Sequence, residues 1–290
     1  MWKPSSIFVF VSLVALLAGC GGTSKGAGGQ ARTRDRTRDV RPAPHSVSAQ
    51  RGVSWWVPSR PIAGVQQRTV GEGADAAVVL WRSGRRPPRD AVIFLHGYEP
   101  EPPSVGAYRG WIRHLTAQGD SVVYPVYQTV NTRPEGYLAN AVAGIHAGLS
   151  AVRANPASVV AIGHTTGGAL VFDYAAVAQA EGLPAPRAVI AVYPGRHPTA
   201  GFEVTPVELS RIPAGTRLMA IAGPGDPLPR GDQEARALLE GATQVPAALR
   251  SFTSAPYVRS PGPFPMSVVP RRSFWAPTDR LIVQARAGAR

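Results

Sequence analysis

The stretch VVAIGHTTGGALVFDY, residues 159–174, decides how the rest of the chain is read. It runs from a short apolar segment of strand length, through a glycine-flanked turn, into a segment with helical character. A strand, a tight turn and a helix in that order is how a sheet delivers a residue to its carboxyl edge. The stretch lacks the G-x-G-x-x-G spacing of a dinucleotide site, so a nucleotide cofactor is not the expectation.

Working outward, similar apolar runs recur at 76–81, 91–97, 121–127, 158–164, 188–195, 217–223 and 249–255. Their continuous Val, Ile, Leu and Ala character, without alternation, is that of strands buried on both faces. Helix-like segments separate them at 108–119, 137–155, 168–182 and 230–242. Strand and helix alternating in this way predict an α/β domain, a doubly wound and mostly parallel sheet with helices on both faces. Ligand sites in such sheets lie at the carboxyl ends of the strands, here His96-Gly97, Gly163-His164 and Gly223 to Asp226.

Three of those strand ends carry a resemblance. Gly163-His164-Thr165-Thr166-Gly167-Gly168 resembles the G-x-S-x-G nucleophile elbow of the α/β-hydrolase superfamily, with strand before and helix after. His96-Gly97-Tyr98 resembles the HG dipeptide of that superfamily's oxyanion loop, and Gly223-Pro-Gly-Asp226 follows a later strand as the triad acid does. The likeness extends over nearly everything after residue 64 and points to the esterase and lipase branch of the α/β-hydrolase fold.

What the resemblance implies for each residue is specific. The flanking glycines put Thr165 at the nucleophile position, and the oxyanion donors would be the backbone N–H groups of Tyr98 and Thr166. Asp226 takes the acid position, with Asp232 a second choice expected at the start of a helix. The superfamily's chain order then requires a histidine after the acid. The six histidines are His45, His96, His114, His146, His164 and His197, and none follows Asp226. In SFWAPTDR, the segment resembling the one that carries the base, Phe274 or Trp275 stands in its place, and Phe274 is taken as the position of the missing histidine.

Threonine has a hydroxyl, but its β-branching stiffens χ1 and adds to the strain of an elbow backbone. Without a base such a hydroxyl is hardly activated. The expectation is therefore a domain impaired or inactive in ester hydrolysis, with a small ester or lipid-like ligand as its partner. The alternative is an active carboxylesterase or lipase-like hydrolase that uses Thr165 with a relocated base, of which His197 in YPGRHP is the candidate. A cavity over Thr165 lined by Tyr98 and Trp275 would favour binding, and a filled one a structural role. No His-x-x-x-His spacing or acidic cluster supplies a metal set, so neither metal nor cofactor is expected.

The N-terminus sets the address. Lys3 precedes an apolar run from Ile7 to Ala18, sized like a signal-peptide core and shorter than the roughly 20 residues of a membrane-spanning helix. Leu17-Ala18-Gly19-Cys20 resembles a bacterial lipobox, which implies cleavage of residues 1–19 and lipidation of Cys20, the sole cysteine. A protein exported and lipid-anchored to the cell membrane or envelope is expected, with no disulfide and no thiolate site. Residues 20–52 are rich in Gly, Ser, Pro and Arg and read as a flexible Arg-rich tether, leaving 53–290 as the hydrolase-like domain. The formal net charge of +13 falls to +12 when Lys3 is removed with the signal. Export and the interrupting Asp35 and Asp39 argue against nucleic acid as a partner, whereas anionic lipid head groups suit the tether arginines.

Overall fold

The computed structural model describes residues 61–98, 105–129, 131–197, 203–226, 231–257 and 271–288, with backbone alone at 271 and 272. The expected signal peptide, Cys20 and the tether lie outside these residues. Among the described residues no helix is long and apolar enough to cross a membrane.

Eight strands form one sheet: β1 (Val65–Val70), β2 (Ala77–Arg82), β3 (Ala91–Leu95), β4 (Ser121–Pro125), β5 (Val160–His164), β6 (Ala188–Val192), β7 (Arg217–Ala222) and β8 (Arg250–Ser254). Their spatial order is β1-β2-β4-β3-β5-β6-β7-β8. Six strands, from β4 across to β8, are mutually parallel. β2 runs antiparallel to both β1 and β4, so the expectation of a mostly parallel sheet holds and the segment at 76–81 is its exception. The reason is the connection: six residues between β1 and β2, from Gly71 to Ala76, suffice for a hairpin but not for a helical crossover.

The helices are α1 (Arg109–Gln118), α2 (Tyr137–Val152), α3 (Thr166–Val177), α4 (Gly231–Gly241) and α5 (Ala276–Ala287). α2, α3 and α4 pack on one face of the sheet, and α1 and α5 meet on the other, joined where His114 Nε2 lies 2.9 Å from Asp279 Oδ2. β3, β4 and β6 are buried along their whole length, and β5 up to His164, which is what covering both faces requires of strands without alternation.

Differences from the sequence reading are local. α3 begins at Thr166, two residues before the expected start, because the turn hands directly into the helix. β1 has no counterpart among the expected strands: VQQRTV is an edge strand with four consecutive exposed residues and no buried run to mark it. α5 was likewise absent from the expected helices, although Pro277 in its first turn and the spacing of Leu281, Ile282 and Ala285 fit a helix start and an apolar face.

Candidate functional site

Register brings the expected residues to one edge. Leu95 pairs with Gly163, His164 with Val192 and Val192 with Ile221, so β3, β5, β6 and β7 end side by side. His96-Gly97-Tyr98, Thr165, Tyr193 to Arg196 and Asp226 all follow those ends.

Thr165 occupies a sharp corner between β5 and α3 with φ 46° and ψ −117°, a region that L residues rarely adopt. Main-chain bonds hold it there: its N–H donates to Val192 O at 3.0 Å, and its own carbonyl accepts from Gly168 N at 2.8 Å and Gly195 N at 3.1 Å. The corner is tight enough to exclude side chains on both flanks. A Cβ on Gly163 would lie 2.0 Å from Gly167 O, and one on Gly167 2.2 Å from both His96 O and Leu95 O. The two glycines are therefore steric necessities, and they fix Thr165 as the central residue.

The loop after β3 faces this corner. Tyr98 N–H donates to Thr165 Oγ1 at 3.3 Å, and among the described residues this is the hydroxyl's hydrogen-bond partner. Tyr108 connects the two segments: its hydroxyl oxygen accepts from Gly97 N–H at 2.8 Å and lies 2.9 Å from His164 Nδ1. A neutral His164 with Nδ1 as acceptor lets one hydroxyl serve both contacts. Burial pushes the His164 pKa down to about 4, so the ring is neutral at ordinary pH. Thr166 is buried, and its N–H stands in the first turn of α3, where the helix dipole favours negative charge.

His96 is fully enclosed and does a different job. Its Nδ1 lies 2.8 Å from Gly97 O, which assigns the proton to Nδ1, and its ring stacks on Tyr127 at 4.1 Å. Nε2 is a buried acceptor without a hydrogen-bond partner among the described residues. Protonating it would place an unshared charge in the core, and burial drives the pKa down to about 3. Tyr127 in turn donates its hydroxyl to His96 O at 2.7 Å. These contacts brace the loop that aims the Tyr98 N–H.

The other expected positions are now placed. Asp226 is half-buried in the turn after β7, and Asp232 lies in the first turn of α4. Phe274 lies in a wide helical turn at 271–275 that continues into α5; its ring, 6% exposed, meets Tyr193 edge-on at 5.6 Å and lies 6.4 Å from Trp111. Trp275 stacks on His114 at 4.5 Å and is 5% exposed. Both rings turn into the α1–α5 layer, so Trp275 does not have the open face that lining a cavity over Thr165 would need. His146 is exposed on α2, His114 faces Asp279, and His197 Nε2 lies 3.6 Å from Glu203 Oε1. None of the described imidazoles bonds to Thr165.

Two contacts were invisible to sequence reasoning. The Tyr108 link joins residues 11 and 56 positions apart, and no local spacing announces it. Asp173 of α3 forms a buried two-pronged pair with Arg196 at 2.6 and 2.7 Å, tying the helix behind Thr165 to the segment after β6. Burial raises the Asp173 pKa and the guanidinium opposes that rise. Among the described residues no three His, Cys, Asp or Glu side chains gather as a metal set.

No protein-family model matches the chain. No curated protein matches it either. Solved structures do. The chain is similar to a hyperthermophilic esterase from Pyrobaculum calidifontis, with 16% identity and a TM-score of 0.56 over 79% of this chain and 85% of that one. A fungal esterase from Rhizomucor miehei gives 12% identity and a TM-score of 0.56 over 77% and 83%. A thermostable carboxylesterase cloned from a metagenomic library gives 14% and 0.55 over 79% and 90%. Identities this low speak to architecture, and together with the strand order and the left-handed corner at Thr165 they assign the chain the α/β-hydrolase fold.

Proposed function

We propose that this chain is a membrane-tethered protein of α/β-hydrolase fold whose site is impaired in ester hydrolysis and instead holds a small ester or lipid-like ligand. Thr165 is the nucleophile position, Asp226 the acid position, and the N–H groups of Tyr98 and Thr166 the oxyanion donors. The observation that carries the reading is the surroundings of Phe274. An aromatic ring packed against Tyr193 and Trp111 occupies the segment where a base is required, while His96 and His164 are neutral and committed to Gly97 and Tyr108. A hydroxyl without an imidazole keeps its proton, and hydrolysis falls toward the residual rate that positioned donors alone supply, on the order of 10³–10⁴ over water.

The test is labelling by a fluorophosphonate probe. The wild-type protein is expected to stay unlabelled while the double variant T165S/F274H reacts at residue 165. Labelling of wild type at Thr165 would overturn the reading. Membrane attachment is tested separately: radiolabelled palmitate should enter the chain at Cys20, and Cys20→Ser should abolish that labelling and release the chain from the membrane fraction in high-salt buffer.

A further inference from the structure

The end of the sheet opposite Thr165 carries an unbalanced charge. Residues 62–68, 82–90 and 151–158 contain Arg68, Arg82, Arg85, Arg86, Arg89 and Arg153 against a single acid, Asp90. The fold makes these three segments one surface. Val65 pairs with Arg82 across the β1–β2 ladder, and Ser83 N donates to Gly64 O at 3.0 Å. Arg89 Nε donates to Arg153 O at 2.9 Å, Asn155 N to Arg89 O at 2.8 Å, and Arg68 reaches Ala151 O at 3.3 Å.

All six arginines are exposed, and among the described residues none forms an ion pair. Arg68 and Arg89 settle on the last carbonyls of α2, the negative end of that helix, which holds their stems in place. Asp90 does not neutralise the group: it is half-buried and lies on the side of Asp120, whose own partner is Arg286 at 2.7 Å. The loops of the Thr165 end are mixed in charge, with Glu72, Asp75, Glu135, Asp226, Asp232 and Glu234 interspersed with Arg109, Arg133 and Arg196.

We propose that this arginine face docks the folded domain on an anionic phospholipid surface. Lipid phosphates suit guanidinium groups, which hydrogen-bond them in pairs. The described chain also enters at this end, at Pro61 and Ile62, so the sequence leading back to Cys20 is covalently joined beside the face. Docking here directs the Thr165 edge away from the bilayer, toward water. The setting rests on the membrane attachment proposed above, but the contact itself needs no acyl chain.

The experiment uses the full chain carrying Cys20→Ser, with the tether residues Arg32, Arg34, Arg36, Arg38, Arg41 and Arg51 replaced by Gln so that only the folded domain is read, sedimented with vesicles of mixed phosphatidylglycerol and phosphatidylcholine and with phosphatidylcholine vesicles alone. Binding to the anionic vesicles is expected to exceed binding to the neutral ones and to weaken as salt rises. R82E/R85E/R86E should weaken it on the order of 100-fold and R85A/R86A about thirty-fold, at about 1 kcal/mol for each basic residue near the surface. R113E/R133E/R280E, which changes net charge equally at other exposed arginines, should stay within about threefold. Circular dichroism checks that each variant is folded. Equal loss in the two triple variants would overturn the proposal, as would retention of binding by the folded R82E/R85E/R86E. Tighter salt-resistant binding of duplex DNA, lost in the same variant, would reassign the face to nucleic acid. Because acylation is absent throughout, failure here leaves lipidation of Cys20 standing, and failure of palmitate labelling leaves this result standing.

Discussion

The corner at 163–168 and the segment at 271–276 carry the two halves of the candidate site, and they are built from different material. The corner is main chain: a left-handed residue, two glycines without room for a Cβ, and the Tyr98 N–H directed at the Thr165 hydroxyl. The later segment is side chain: the buried rings of Phe274 and Trp275, packed against Trp111, Tyr193 and His114. Main-chain geometry persists through substitution of the residue it carries, whereas side-chain chemistry is lost with one replacement. On the reading proposed above, a fold can keep the form of a reaction that its side chains no longer support.

Breaking the first half should cost most. Gly167→Ala forces a Cβ against two carbonyl oxygens at 2.2 Å, and about 4 kcal/mol or more is expected to be lost, read from the urea midpoint. An effect below about 1 kcal/mol would mean the corner yields. Removing one member of the buried pair behind it, by Arg196→Met or Asp173→Ala, should cost about 3–5 kcal/mol, since the remaining charge stays enclosed. If the double replacement R196M/D173L recovers most of that loss, the pair clamps α3 without being a net source of stability.

The brace beneath the Tyr98 loop gives a pH signature. His96 is held neutral in the folded protein with a pKa near 3, against about 6.5 when unfolded. The unfolded chain therefore takes up the proton first as pH falls, and stability is lost from pH 6.5 downward. At pH 4 the loss is about 3 kcal/mol from this residue, measurable as a falling urea midpoint; His164, held down to about 4, adds a similar loss, so His96→Asn should remove about half of the slope. A profile of unchanged slope in that variant would place the dependence elsewhere.

The smallest effect is at Thr165 itself. Thr165→Gly relieves a β-branched residue at φ 46° and should raise stability by about 1 kcal/mol, after the loss of the Tyr98 contact is counted. A loss of stability would show that the hydroxyl contact outweighs the strain, and the corner would then have adapted to threonine.

How much of this was legible beforehand follows from the same division. Strands β3 to β7 announce themselves because both faces are buried, and the glycine frame around Thr165 because only glycine tolerates 2.0–2.2 Å approaches. That no histidine follows Asp226 is a matter of residue type and order and is read from the sequence alone. β1 was not, since an exposed edge strand has no apolar signature, and the antiparallel entry of β2 depended on a hairpin whose first strand was unseen. The Tyr108 bridge and the Asp173–Arg196 pair join distant positions through single polar atoms, which leave no periodic trace.

Main-chain bonds also cross between the ends of neighbouring strands. Thr165 N donates to Val192 O, Tyr193 N to Ile221 O, and Tyr193, itself left-handed at φ 45°, begins the turn whose Gly195 N returns to Thr165 O. Amide protons in such a lattice exchange with solvent only when the sheet itself opens, so their exchange rates should follow global unfolding rather than local fluctuation. An edge of that kind does not reshape itself around a guest. Whatever molecule settles over Thr165 is selected by fitting a mould that was set when the chain folded.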